Sequence, residues 1–343
     1  MISVQSFVLG VIGLAIILLL VSSIARRINL VDIGNEERKG HIGAIPLVGG
    51  IGLFVSLNYG ALVFGVNTFY FYLLWSLLPI MIIGVFDGIQ GTKIKPVTRI
   101  LAQIVSSWIV IIATDIYITD LGDILGIGNL YIGKVGIPFT IFSVVGICNA
   151  FNMLDGKDGL LGSVSVIIML SIFVLLYFNG VLHQWPLIVL LSLFVFLFFN
   201  LSLFGQNRKI FLGDHGSTGL GHITAWSLVY LSQETIYLTP ASALWFVMLP
   251  LTDAILTFLR RLKSSKSVFE GDRLHFHHKL EDRGYSDSKI LLICCIITVL
   301  SSTLAVASNI TGIEEYTLFY CYSTLLVMLI LQGFVDPKEK KNF

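Results

Sequence analysis

Charge is scarce in this chain. Only 13% of its 343 residues are Asp, Glu, Lys or Arg, where soluble proteins average roughly 25%, so an ordinary soluble domain is excluded. Cysteine is scarce as well. Cys148, Cys294, Cys295 and Cys321 all lie in apolar runs at no metal-ligand spacing, which argues against a disulfide framework and reads them as small core or lipid-facing residues. No repeat of fixed period is present, and the longest polar stretch, at about 28 residues, is too short to bury a core of its own. The first apolar run, residues 7–25, lacks a basic leader and a small-residue cleavage site, so it reads as a retained anchor. A net charge of +1 implies no particular partner, because the charges are segregated along the chain, and no nucleic-acid partner is expected.

What the chain has in abundance is apolar sequence. Hydrophobic residues make up 55% and the mean hydropathy is +0.87. They fall into eleven segments, near 5–25, 44–66, 69–86, 98–117, 135–153, 160–179, 184–204, 212–232, 240–260, 289–309 and 315–335. A bilayer core takes roughly 20 residues of helix, so the pattern predicts an all-α polytopic membrane protein of about eleven transmembrane helices. The whole chain, 1–343, reads as one integral-membrane domain with the lipid bilayer as its solvent.

Basic residues orient it. Numbering the breaks alternately, 21 of the 22 Lys and Arg fall on one side: ten from Arg26 to Lys209, eight from Arg260 to Lys289 and three at the C-terminus. Only Lys134 lies on the other. Cytoplasmic loops carry the Lys/Arg excess, which places the N-terminus outside and the C-terminus in the cytoplasm.

The same breaks hold the chemistry. They carry Asn35-Glu-Glu-Arg-Lys-Gly-His41 with Ile45-Pro-Leu-Val-Gly-Gly50, and Asp87 ahead of Lys93, Lys95 and Arg99. They also carry Asn149-Ala-Phe-Asn-Met-Leu-Asp-Gly-Lys-Asp-Gly159, Phe211-Leu-Gly-Asp-His-Gly-Ser217 and Asp272-Arg-Leu-His-Phe-His-His278. Carboxylates at the ends of apolar helices are costly unless they pair, bind a metal or line a wet cavity. Asp87, Asp155, Asp158 and Asp214 all sit so, on one face. Carboxylates suit Mg²⁺ shared with substrate phosphates, and nearby Lys, Arg and His neutralise phosphate charge, a pattern that reads as a phosphoryl-transfer site.

Simpler readings stand beside these. Arg26, Arg27, Arg260 and Arg261 read as topology anchors, and Gly49, Gly50, Gly213 and Gly216 as close helix contacts. His222 reads as a packed histidine. For Asp253, inside a span, a structural and a functional role are both open. The cluster of His275, His277 and His278 reads as a solvated loop or as a metal site, zinc included, although no cysteine accompanies it.

At these motifs the sequence resembles the polyprenyl-phosphate N-acetylhexosamine-1-phosphate transferase family, in particular its bacterial members that take undecaprenyl phosphate and N-acetylglucosamine. The strings occur in family order across residues 30–285. The Asn-Ala-Phe-Asn-Met-x-Asp-Gly-x-Asp-Gly string is the most specific. The resemblance implies an eleven-span enzyme of the bacterial cytoplasmic (inner) membrane, its active site facing the cytoplasm. It implies attack of undecaprenyl phosphate on the β-phosphorus of a UDP-N-acetylhexosamine, with Mg²⁺ (or Mn²⁺) and release of UMP, to start a surface polysaccharide such as O-antigen. By motif, Asp214 binds the metal and Asp87 assists it or deprotonates the lipid phosphate. Asn152, Asp155 and Asp158 contact the nucleotide or organise the site, Phe211 stacks on uracil, and Arg273 with His275, His277 and His278 holds the pyrophosphate and sugar. Lys39, His41 and Asn149 join the substrate-binding set. A homodimer is left open.

One position departs from the family pattern, which has adjacent aspartates where this chain has Asp87-Gly88. The missing carboxylate is expected to alter metal affinity or proton transfer, and a catalytically weak homologue is one alternative it leaves. A second is the family's peptidoglycan-precursor branch, which uses UDP-N-acetylmuramoyl-pentapeptide. The His-x-His-His spacing favours the N-acetylglucosamine branch. A transporter would spread its charges near the bilayer midplane along inverted repeats, whereas here they gather on one face.

Overall fold

A computed structural model of the protein describes residues 4–34, 43–92, 94–263 and 274–335, with side chains from Ile12 to Gln332. Each of the eleven apolar segments coincides with one helix or a helix pair. In chain order these are α1 (Val4–Arg27), α2 (Gly49–Phe64), α3 (Thr68–Ser76) with α4 (Leu78–Gly88), α5 (Pro96–Thr114), α6 (Gly136–Leu154) and α7 (Leu160–Phe178). Then come α8 (Trp185–Asn200), α9 (Asp214–Gln233), α10 (Pro240–Phe246) with α11 (Met248–Lys263), the short α12 (Phe276–Asp282), α13 (Asp287–Thr311) and α14 (Glu315–Val335).

The protein is an all-α, multi-pass membrane protein. Six of its described helices are long and apolar enough to cross a bilayer, or seven if the bent pair α10–α11 counts as one span. That is fewer than the eleven expected, and at three of the segments the reason is local. The segment at 184–204 yields only 16 helical residues, because the chain turns at Leu201–Gly205. The segment at 44–66 spends its first residues on a strand. Between α10 and α11 the axis bends by 83°. Pro250 has no N–H to give to the carbonyl of Phe246 four residues back, so the first helix ends there.

Large apolar side chains face outward, among them Leu62, Ile112, Phe142 and Leu300, each more than 65% exposed. They are the surface that lipid covers. The centre is α9. Sixteen of its 20 residues are buried, among them Ser217, Thr218, His222, Thr224 and Ser227. It packs most closely on α6, then on α4. A Cβ on Gly221 would lie 2.7 Å from the Cα of Cys148, so this crossing needs a glycine to bring the two backbones together. His222 behaves as a packed histidine, with Nε2 2.9 Å from Ser76 Oγ.

The pattern of long apolar segments gave no hint of a sheet. Val31–Ile33 (β1) and Ala44–Pro46 (β2) pair antiparallel. The second strand continues onto the 211–212 segment, with Phe211 N donating to Pro46 O at 2.9 Å and Gly50 N to Leu212 O at 2.9 Å. Two of the sequence motifs are thereby bonded backbone to backbone at the start of α9.

Candidate active site

Asp87 occupies the last turn of α4 and Asp214 the first position of α9. Their distance is set by a close approach of backbones. A Cβ on Gly84, one turn before Asp87, would meet His215 Cβ at 2.5 Å and its Cα at 2.8 Å. On the opposite side, a Cβ on Gly50 would lie 2.4 Å from Gly216 Cα, so that glycine is a close helix contact. Gly213 turns the chain into α9 with φ of 76°, a region open to glycine at little cost.

The two carboxylates converge on one cation. Arg99 Nη1 lies 3.2 Å from Asp87 Oδ2 and 2.8 Å from Asp214 Oδ2, and Ile94 N donates to Asp87 Oδ1 at 3.2 Å. Asp32, on β1, adds a further negative charge within range of Asp214. A divalent metal held by one or two carboxylates, with water and substrate phosphate completing its shell, suits Mg²⁺. Two hard oxygens directed at a point where a guanidinium nitrogen sits are a donor set of that kind, so these residues fit the ion.

Asp155 caps α6 and reaches into the same field. Its side chain keeps contact with solvent, but the enclosing protein, and then the charges of Asp214 and Asp158, push its carboxyl up to about 7. Like charges held close disfavour ionisation. Asp158 is paired to Lys209 at 2.5 Å, and Lys209 Nζ lies over the Phe211 ring, 5.2 Å from its centre. One face of Phe211 is thus covered by a cation. Asn152 accepts from Ser217 Oγ at 2.7 Å, which ties α6 to the first turn of α9. Asn149 is turned inward, its amide donating to Gln103 Oε1 at 2.8 Å and Val145 O at 2.7 Å.

The histidines form a second group. Asp253 sets it in place, accepting from Phe276 N at 2.8 Å and lying 3.1 Å from His275 Nδ1. Asp253 is therefore a polar anchor for α12, and Arg260 helps by donating to Leu274 O at 2.5 Å, a more specific role than a topology anchor. His277 and His278 lie 4.1 Å apart between ring centres with their planes tilted by 42°, and His275 lies parallel to His277 at 5.8 Å. Among the described residues no three His, Cys, Asp or Glu side chains gather as a metal-binding set, so the zinc reading of this cluster finds no support. Burial, then the neighbouring His278 and His275, push His277 down to about 3, so it is neutral at physiological pH. It packs on the acidic loop, where a Cβ on Gly156 would come 2.3 Å from its Nε2.

Lys39, His41 and Arg273 lie outside the described residues. The structure brings together Asp87, Asp214, Asp155 and Asn152, packs His277 against Gly156 of the Asp155–Gly159 loop, and leaves Asn149 half-buried against Gln103 of α5. Sequence reasoning did not select Arg99, Asp32 or Lys209 as site residues. Arg99 stood out only as one of the basic residues following Asp87, and its separation of 115 positions from Asp214 hid their pairing.

A profile described as glycosyl transferase family 4 matches residues 70–232. The undecaprenyl-phosphate alpha-N-acetylglucosaminyl 1-phosphate transferase of Escherichia coli is 30% identical over 320 residues, which cover 91% of this chain and 84% of that protein. The chain belongs to glycosyl transferase family 4. The protein of the same name from Haemophilus influenzae is 32% identical over 324 residues, covering 93% of this chain and 90% of its own. A third, from Salmonella typhi, is 30% identical over 328 residues, with 93% and 86% covered. In this glycosyl transferase the matched region 70–232 holds Asp87, Arg99, Asn152, Asp155, Asp158 and Asp214. The histidine segment lies beyond it.

The departure at Gly88 also has a structural setting. Its φ is not in the left-handed region, and a Cβ there would meet Leu30 Cδ1 at 2.8 Å and Leu47 Cδ1 at 3.2 Å. A side chain at 88 leaves the backbone toward leucines, whereas Asp87 faces Arg99.

Proposed function

We propose that this protein transfers N-acetylglucosamine-1-phosphate, or a related N-acetylhexosamine-1-phosphate, from a UDP-sugar to undecaprenyl phosphate, releasing UMP. The observation that carries the reading is the convergence of Asp87 and Asp214 on one cation position, beside Asp155, at helix ends that bear the motifs of a sugar-phosphate transferase. The names of the relatives support the lipid phosphate and the N-acetylglucosaminyl 1-phosphate unit. The clustering of 21 of 22 basic residues on one side supports eleven crossings, an outside N-terminus and a site open to cytoplasmic UDP-sugar.

In this reading an oxygen of the lipid phosphate attacks the β-phosphorus of the UDP-sugar. A new P–O bond forms to the lipid and the bond to UMP breaks. Asp87 and Asp214 would hold Mg²⁺, and the ion when bound would supply charge neutralisation for the donor's phosphates. Arg99, already between the two carboxylates, turns its guanidinium to a phosphate oxygen, a planar fork suited to that geometry. Asp155, with its raised pKa, is poised to take the proton of a monoprotonated lipid phosphate near neutral pH. His277, buried and neutral, seats the histidine helix against the loop without adding charge to the donor site.

The test is UMP release by purified protein in vesicles holding undecaprenyl phosphate, with UDP-N-acetylglucosamine as donor and UDP-N-acetylmuramoyl-pentapeptide as competitor. Release is expected to require the lipid and to stop in excess chelator, returning with Mg²⁺ or Mn²⁺. Asp214→Asn is expected to lower it by about 10²-fold or more in a protein that still inserts. Full transfer in chelator, or by Asp214→Asn, removes the metal pair from the mechanism.

A further inference from the structure

The loop between α6 and α7 carries one cation that turns away from the acidic site. Lys157 Nζ lies 2.6 Å from Glu281 Oε1 and 2.9 Å from Asp287 Oδ1, and its side chain is only 18% exposed. Asp155 and Asp158 flank it in sequence, but Asp158 is paired with Lys209 instead. Glu281 belongs to α12 and Asp287 opens α13, so a single ammonium joins three segments.

The geometry of α12 gives this contact a consequence. Glu281 follows His277 by four residues, so both lie on one face of the helix. That face meets two successive residues of the loop: His277 covers Gly156, and Glu281 takes Lys157. At the other end, Asp253 holds Phe276 N and His275. The helix that bears the histidines is therefore hung between Asp253 and Lys157. Burial by itself would lower the Lys157 pKa, but its bonds to Glu281 and Asp287 outweigh that and raise it.

We propose that Lys157 is a positioning residue, a clasp that sets the histidine helix against the Asp155–Gly159 loop through Glu281 and Asp287. Its kinetic consequence rests on the function proposed above, while its structural consequence does not. The acids come from the loop and the histidines from α12, so the clasp fixes the separation of the two halves of the donor site. Asp287 is 74% exposed, so added salt weakens that arm of the clasp.

The experiment uses the full-length protein in lipid nanodiscs and three forms: Lys157→Met, Lys157→Arg, and the double variant Lys157→Met with Glu281→Gln. Hydrogen exchange of the α12 amides is read without substrate, and KM and kcat are read with UDP-N-acetylglucosamine. In Lys157→Met, α12 is expected to exchange roughly tenfold faster, since charge-assisted hydrogen bonds are lost, with KM for the donor rising by about the same factor and kcat within twofold. Arginine is expected to return both readouts to within about threefold of wild type, and the double variant to match Lys157→Met, because the Glu281 arm is already lost with the ammonium. Unchanged exchange in Lys157→Met, or an arginine variant that restores neither readout, overturns the clasp. If α12 responds as expected but even the wild type releases no UMP, the clasp stands and the proposed activity falls.

Discussion

Gly84→Ala should disable this protein far more than it destabilises it. The methyl would sit 2.5 Å from His215 Cβ, 2.8 Å from its Cα and 2.9 Å from its backbone N. Two of these are backbone atoms, so no rotamer change relieves the overlap. Ordinary contact begins at 3.4 Å, leaving α4 and α9 to part by about 1 Å, a misplacement that can cost on the order of 10²-fold in rate. Asp87 lies one turn after Gly84 and Asp214 immediately before His215, so the displacement falls on the carboxylate pair. Stability responds less. Overpacking costs about 1–3 kcal/mol, offset in part by the roughly 1 kcal/mol that alanine gains over glycine within a helix. The control is Gly219→Ala in α9, where the nearest atom, Leu77 Cδ2, is 3.8 Å away. That variant is expected to keep its turnover and gain about 0.5–1 kcal/mol. Both are measured by UMP release and thermal unfolding in the same detergent. A folded Gly84→Ala protein with turnover within threefold of wild type would refute the idea that this helix approach sets the geometry of the acids.

Asp155 gives a pH signature in protein kept free of divalent metal. Its native pKa of about 7 lies above the ordinary carboxylate value, so ionising it costs the native state. That cost is absent below about pH 4 and complete above about pH 7. Asp155→Asn should therefore raise the thermal midpoint at pH 8 and leave it unchanged at pH 4, and an equal shift at both would remove the electrostatic cause. Gly88→Asp should fold with a loss of about 1–3 kcal/mol, since its side chain enters the leucine contact. It should leave the Mg²⁺ dependence of turnover as it was, and a lower Mg²⁺ requirement would show that the acid reaches the metal site after all. Single cysteines near Gly128 and Leu182 should label from outside the membrane, and those near Gly156 and Phe276 should not. External labelling at Phe276 would invert the proposed orientation.

The sequence by itself determined the membrane class, the eleven apolar segments, the charge asymmetry and the motifs that carry the family. These are legible because they depend on composition and on contiguous strings: a bilayer reads hydrophobic length, and a loop motif keeps its residues within a few positions. Asp87, Asp155 and Asp214 stood out for the same reason, as acids at the ends of apolar runs. The sequence did not reveal what brings them together. Arg99 joins Asp87 to Asp214 across 115 positions, and β1–β2 passes its pairing to the 211–212 segment. Gly50 read as a close helix contact, but Gly84 looks like an ordinary helix glycine until α9 is laid against it. The bend at Pro250 and the placing of Asp253 under His275 were likewise settled by packing. Contacts between distant segments are chosen by which backbones can approach closely enough, and that depends on every helix at once.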